Sequence, residues 1–110
     1  MKSNEQTNEG NKMNANINQN NVRQSPGCYR EVMLNDVWKK YSWCDYVCLQ
    51  IETLGSGDIW FGMSGREAFY DILSGLRKLH DTRDSNDSRR EVAYLLQYWE
   101  TYNGRLKYGA

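Results

Sequence analysis

The chain has 110 residues, 14 Lys and Arg against 14 Asp and Glu, one His, three Cys, four Trp, eight Tyr and two Phe. That length leaves room for one domain, and a zero net charge with interleaved signs gives no electrostatic case for nucleic acid, an anionic membrane or polyacidic mimicry of DNA. No apolar run approaches the ~20 residues of a membrane helix, and the N-terminal stretch MKSNEQTNEG lacks the hydrophobic core of a secretory signal. Three cysteines without a dense framework fit a reducing compartment, so a cytoplasmic protein is expected.

The first segment is set apart by composition. Residues 1–25 hold eight Asn and three Gln, no aromatic residue, and only Met1, Met13, Ala15, Ile17 and Val22 as apolar side chains. So little apolar surface does not offset an ordering cost of roughly 1–2 kcal/mol per residue. Residues 1–26 are therefore expected to be a disordered Asn-rich tail, ending at Ser25-Pro26-Gly27, and residues 27–110 a single α+β domain. A folded part this short buries only about 60% of its unfolded surface, so its core depends on the aromatic side chains.

Arg30–Leu34 reads as a strand, followed by a short helix capped by Asn35 and carrying Val37, Trp38 and Tyr41; a single helix over 29–41 is the alternative. In Tyr46–Glu52, Val47, Leu49 and Ile51 alternate with polar or smaller neighbours, the period of a half-buried strand. Gly55-Ser56-Gly57-Asp58 supplies turn residues, and Ile59, Phe61 and Met63 alternate with Trp60 and Gly62 as the return strand of a hairpin. Ser64–Glu67 and Ser88–Glu91 both match the S-x-x-E capping box. The first opens a helix over about 65–80 with a stripe of Phe69, Ile72, Leu73, Leu76 and Leu79; Gly75 within it suits close approach by another element. The second opens a helix over about 89–103 with a stripe of Val92, Leu95, Leu96 and Trp99, closed by Gly104. The seven polar residues 81–87 between them make the two helices antiparallel neighbours. The expected fold is α+β: a small antiparallel sheet of two or three strands packed by two antiparallel C-terminal helices.

Little in this pattern carries chemistry. Cys28, Cys44, Cys48 and His80 are the soft metal ligands, but the strand reading separates Cys44 and Cys48 by about 13 Å, and neither begins a zinc knuckle. The loop opening at Asp84 has Arg89 where a calcium loop needs Gly and Leu95 where it needs a bidentate Glu. His80, in the last turn of a helix, suits the helix dipole rather than a nucleophile pair. No metal, no cofactor and no enzymatic activity are expected.

The distinctive surface feature is Tyr94, Tyr98 and Tyr102, spaced by four residues about 110° around the helix from the core stripe, with Arg90 one step earlier, placed to stack on Tyr94. Tyrosine is favoured where a dry surface meets a wet one. Trp60, on the strand face opposite Phe61, is a second candidate for exposure. Arg90, Tyr94, Tyr98, Tyr102 and Trp60 are thus the expected interaction residues, and the partner a protein or a second copy. A small non-enzymatic protein-interaction module is the expected function, of the kind common among accessory or inhibitory proteins of phages and mobile elements. The alternative is a nucleic-acid-binding protein using the Arg and Tyr side chains of the last helix.

Overall fold

A computed structural model of the chain describes residues 16–27 and 29–105. In chain order the elements are β1 (Asn16–Ile17), a 3-10 turn (Gln19–Asn21), β2 (Val22–Gln24), β3 (Arg30–Leu34), β4 (Val37–Tyr41), α1 (Trp43–Gly55), β5 (Ile59–Trp60), α2 (Gly65–Thr82) and α3 (Asn86–Arg105). The fold is α+β, with a three-stranded antiparallel sheet ordered β2-β3-β4 and a parallel pair, β1 beside β5. No helix among the described residues is long and apolar enough to cross a membrane.

Two of the expected elements change identity. Arg30–Leu34 is a strand as its sequence predicts, but no helix follows it. Asn35 and Asp36 both take positive φ, +54° and +65°, the conformation of a two-residue hairpin turn that Asn and Asp tolerate better than other non-Gly residues. The chain therefore returns directly as β4, with Leu34 opposite Val37 and Val32 opposite Lys39. The second change is larger. Residues 46–52 are not a strand but the middle of α1, which buries Val47, Cys48, Leu49, Ile51 and Leu54. Ser42 caps this helix by accepting a hydrogen bond from the Asp45 amide at 3.1 Å. Its other end is a Schellman motif: Gly57 N–H donates to Leu54 C=O at 3.1 Å and Asp58 N–H to Thr53 C=O at 2.9 Å. That motif needs a left-handed residue, and Gly57 supplies it with φ +86°. The glycine cluster read as a hairpin turn is thus a helix cap.

The return strand shrinks accordingly to Ile59–Trp60. A tight turn pairs Trp60 with Met63, and Phe61 takes φ +52°, so side-chain alternation ends at Trp60. Ile17 lies beside Trp60, accepts a hydrogen bond from the Phe61 amide at 2.5 Å, and is only 2% exposed. The ordered fold therefore begins at least ten residues upstream of the expected boundary at 26, because one apolar side chain and a β ladder secure this segment. The expectation of disorder for residues 1–15 falls outside the described residues, as does Cys28.

The C-terminal pair follows the amphipathic pattern. α2 buries Ala68, Phe69, Ile72 and Leu76; α3 buries Val92, Leu95 and Trp99. The start of α2 meets the end of α3: the Phe69 and Trp99 rings stack at 4.5 Å, and Tyr70 donates to Asn103 at 3.3 Å. The helices are therefore antiparallel. Their caps differ from expectation in detail. Ser64 stands at the N-cap of α2 without making a side-chain capping bond. In α3 the capping oxygen belongs to Ser85, which accepts from the Ser88 amide at 3.1 Å, so Ser88 lies inside the helix and the connection shortens to residues 83–85. Gly104 lies within the last turn rather than beyond it.

α1 is the central element. It packs against the sheet through β4 and against both α2 and α3, in place of the expected direct stacking of two helices on the sheet. Close approach is achieved at Gly55 rather than at Gly75. A Cβ on Gly55 would lie 3.0 Å from the Tyr102 ring and 3.3 Å from the Phe69 ring, whereas a Cβ on Gly75 would meet nothing within 4 Å.

Candidate interaction site

The sheet, α1 and α3 leave a groove of about 430 Å³ between them. Lys39, Lys40 and Tyr41 of β4 form one wall, Asp45, Cys48, Leu49 and Glu52 of α1 the floor, and Tyr94 and Tyr98 of α3 the other wall. The hairpin tip closes one end with Leu34 and Asn35.

The tyrosine wall is built by the helix repeat. The rings of Tyr94 and Tyr98 lie 6.1 Å apart with 26° between planes, and those of Tyr98 and Tyr102 5.4 Å apart. The ladder is graded in exposure. Tyr102 packs on Gly55 with the Arg105 guanidinium over its ring at 5.6 Å. Tyr98 is half-buried and donates its hydroxyl hydrogen bond to the Glu52 carboxylate across the groove. Tyr94 is 53% exposed. Burial and the bond to Glu52 push the Tyr98 phenol well above its ordinary value, so at neutral pH it remains the donor and stays clamped.

The floor is kept uncharged at its sulfur atoms. Cys44 and Cys48 sit one turn apart on α1, not at the two ends of a strand segment. Burial raises both, Cys48 to about 12, so they are poor nucleophiles and poor metal ligands at neutral pH. Among the described residues no group of three or more His, Cys, Asp or Glu is placed to hold a metal ion. His80 lies in the last turn of α2, 3.9 Å from Asp81.

Of the residues singled out from the sequence, the groove brings together Tyr94 and Tyr98, with Tyr102 next in the ladder. Arg90 is not stacked on Tyr94 as expected; it lies 3.7 Å from Asp87, one turn earlier on the exposed side of α3. Trp60 is corrected outright. It is 3% exposed, covered by Tyr46 edge-on at 5.2 Å and by Phe61 stacked at 5.4 Å, because parallel pairing beside Ile17 turns its ring inward. Phe61, expected on the buried face, is the exposed member of that pair. Lys39, Lys40, Cys48 and Glu52 were missed; the signals for them were the Asn35-Asp36 turn and the Ser42 cap with an acidic residue three positions on.

A second groove of about 430 Å³ runs between α1 and α2, lined by Trp43, Val47, Met63, Ile72, Leu76 and Leu79. The chain matches no protein-family model, no curated protein and no solved structure.

Proposed function

We propose that the protein is a small non-enzymatic interaction module that receives a protein partner in the groove between β4, α1 and α3. The observation that carries this reading is the graded tyrosine ladder: an exposed Tyr94 stacked on a Tyr98 already fixed by Glu52. Ring and hydroxyl are preorganised, so a partner gains aromatic contact area with little further loss of side-chain freedom, and tyrosine is among the residues that dominate interface energetics. Burial raises the Cys48 thiol in the groove floor to about 12, so it stays protonated at neutral pH. Nucleic-acid binding by the last helix is less well supported. Arg90 lies by Asp87, and Arg89 donates to the Asp84 carbonyl at 3.4 Å, so neighbouring acceptors engage the cations that reading requires.

The test compares three proteins in capture experiments with identification by mass spectrometry: the parent, Tyr94→Ala, and Met63→Ala, which alters the other groove. A partner retained by the parent and by Met63→Ala, but bound at least fivefold more weakly by Tyr94→Ala, is the expected result. Equal retention by Tyr94→Ala would overturn the assignment of the groove. Sedimentation of the same proteins covers a second copy as partner.

A further inference from the structure

We propose that the second groove, between α1 and α2, closes on the same groove of a second copy of the chain, the two related by a two-fold axis beside Gly75. This surface is separate from the tyrosine groove, and the proposal stands whatever partner enters there.

The helix repeat places the contact. Gly75 is exposed near the middle of α2 and lines the groove. Glycine inside a helix is less stable than alanine, and nothing in its own chain requires it here, since a Cβ would meet nothing within 4 Å. A second helix can therefore cross close to the backbone at this point. At 100° per residue, Ala68, Ile72 and Leu79 lie within about 60° of Gly75 on the groove side. Asp71 and Lys78 lie within about 60° on the other side.

α1 runs antiparallel to α2, because Gly55 packs by Phe69 at one end and the Arg83 guanidinium lies 5.2 Å over the Trp43 ring at the other. Two copies closed groove on groove thus form an antiparallel four-helix bundle, with Val47, Ile72 and Leu79 of both chains turned inward. α1 has 13 residues and α2 has 18, about 20 and 27 Å at 1.5 Å per residue. Lying about 9 Å apart, they give each copy a face of roughly 500 Å². The pair then buries about 1,000 Å², the size a specific interface needs.

Charge selects a second copy as the occupant. The border of α2 beside Gly75 runs from acidic to basic: Glu67 and Asp71, then Lys78. All three are exposed, and among the described residues none makes an ion pair. Arg66 and Arg77 stand on the opposite side of the helix, and Asp45 and Glu52 of α1 belong to the tyrosine groove. The helix dipole acts within the first and last turns, and both Asp71 and Lys78 lie outside them. They are also seven residues apart, too far to pair within one helix. A ligand of one sign is matched at one end of this border and opposed at the other. A reversed copy is matched at both: the two-fold axis sets Asp71 of each chain beside Lys78 of the other, and Glu67 beside Thr82. Such an isologous contact is closed and stops at two chains.

Sedimentation velocity of the full chain over a range of concentrations tests the proposal, with urea denaturation confirming that each variant is folded. The parent is expected to dimerise. Asp71→Lys alone and Lys78→Asp alone should each weaken self-association at least tenfold, since each sets like charges together at both ends of the contact. An equimolar mixture of these two variants should dimerise about as well as the parent, because the two-fold axis then restores both pairs. Gly75→Leu, which meets open space in the single chain, should remain folded and lose association at least tenfold; it serves where a charge variant does not fold. Tyr94→Ala should leave the dimer unchanged. A parent that stays monomeric up to about 1 mM, a Kd too weak for a specific contact, would overturn the proposal. So would a dimer indifferent to the charge reversals and to Gly75→Leu, or one lost on Tyr94→Ala. Single variants that fail to associate even when mixed would overturn the antiparallel pairing on which the choice of a second copy stands.

Discussion

Trp99 and Tyr98 are neighbours on α3, and each points its one polar atom at a different kind of acceptor. The Trp99 indole N–H donates to the Phe69 carbonyl at 2.8 Å, its ring stacks on Phe69, and the residue is 1% exposed. Tyr98 reaches a carboxylate, Glu52, at the margin of an open groove. A 100° step around the helix thus separates a ring whose polar handle is satisfied inside the dry core from one whose handle needs a charged acceptor near water. The first joins two helices permanently; the second holds a surface ready for a partner.

The largest effect should come from the dry side. Trp99→Ala removes the stack and the indole hydrogen bond to the Phe69 carbonyl and opens a cavity; such truncations cost about 3–5 kcal/mol. Urea denaturation would measure it, and a midpoint near that of the parent would show that α3 does not turn this face to α2.

The next effect tests how far the core extends from the helices. Ile17 is as buried as the aromatic centre of α3 but comes from a segment whose composition argues for disorder. Ile17→Ala is expected to cost about 2–4 kcal/mol, whereas Asn20→Ala, exposed on the neighbouring 3-10 turn, should stay within about 0.5 kcal/mol. A protein beginning at Pro26 should accordingly melt lower than the parent, contrary to what its composition suggests. Equal melting temperatures would show that the ladder between β1 and β5 contributes nothing.

The contrast between α3 and the N-terminal half also explains what could be read from the amino-acid order. α2 and α3 each bury one stripe, so their apolar residues recur at helical spacing and their limits fall within a few residues of expectation. α1 is packed by the sheet and by both other helices, so it buries Val47, Leu49 and Ile51 as well as Cys48 and Leu54. The first three satisfy a two-residue period while the whole set satisfies a helix, and periodicity does not separate a buried helix from a strand. End signals did: the Ser42 cap and the left-handed Gly57 both mark a helix. Ile17 has no local signal, because its burial depends on a partner strand more than forty residues away. The same division runs through the site. Tyr94 and Tyr98 stand on a legible helix; Lys39, Lys40 and Glu52 stand on β4 and α1, whose identities decide where they point.

The smallest effect, and the sharpest probe of the wet side, is Tyr98→Phe. The ring and its neighbours in the ladder are kept, and only the hydroxyl bond to Glu52 is lost. Hydrogen bonds to charged groups contribute about 1.5–3 kcal/mol when sheltered; at a half-exposed margin about 1 kcal/mol is expected at neutral pH. The pH dependence identifies the source. The Tyr98 phenol is raised in the folded protein, first by burial and then by Glu52, so folding favours its protonated form. Its contribution is therefore whole below the ordinary tyrosine value near 10 and is lost as pH rises through the higher folded value. The stability difference between parent and Tyr98→Phe should thus be constant around neutral pH and shrink above pH 10, a comparison in which the other tyrosines and the cysteines cancel. Partner affinity should fall as well, because Tyr94 then stacks on a ring no longer fixed across the groove. A difference that grows with alkaline pH would mean that the hydroxyl is not buried against Glu52, and that the ladder owes its order to stacking alone.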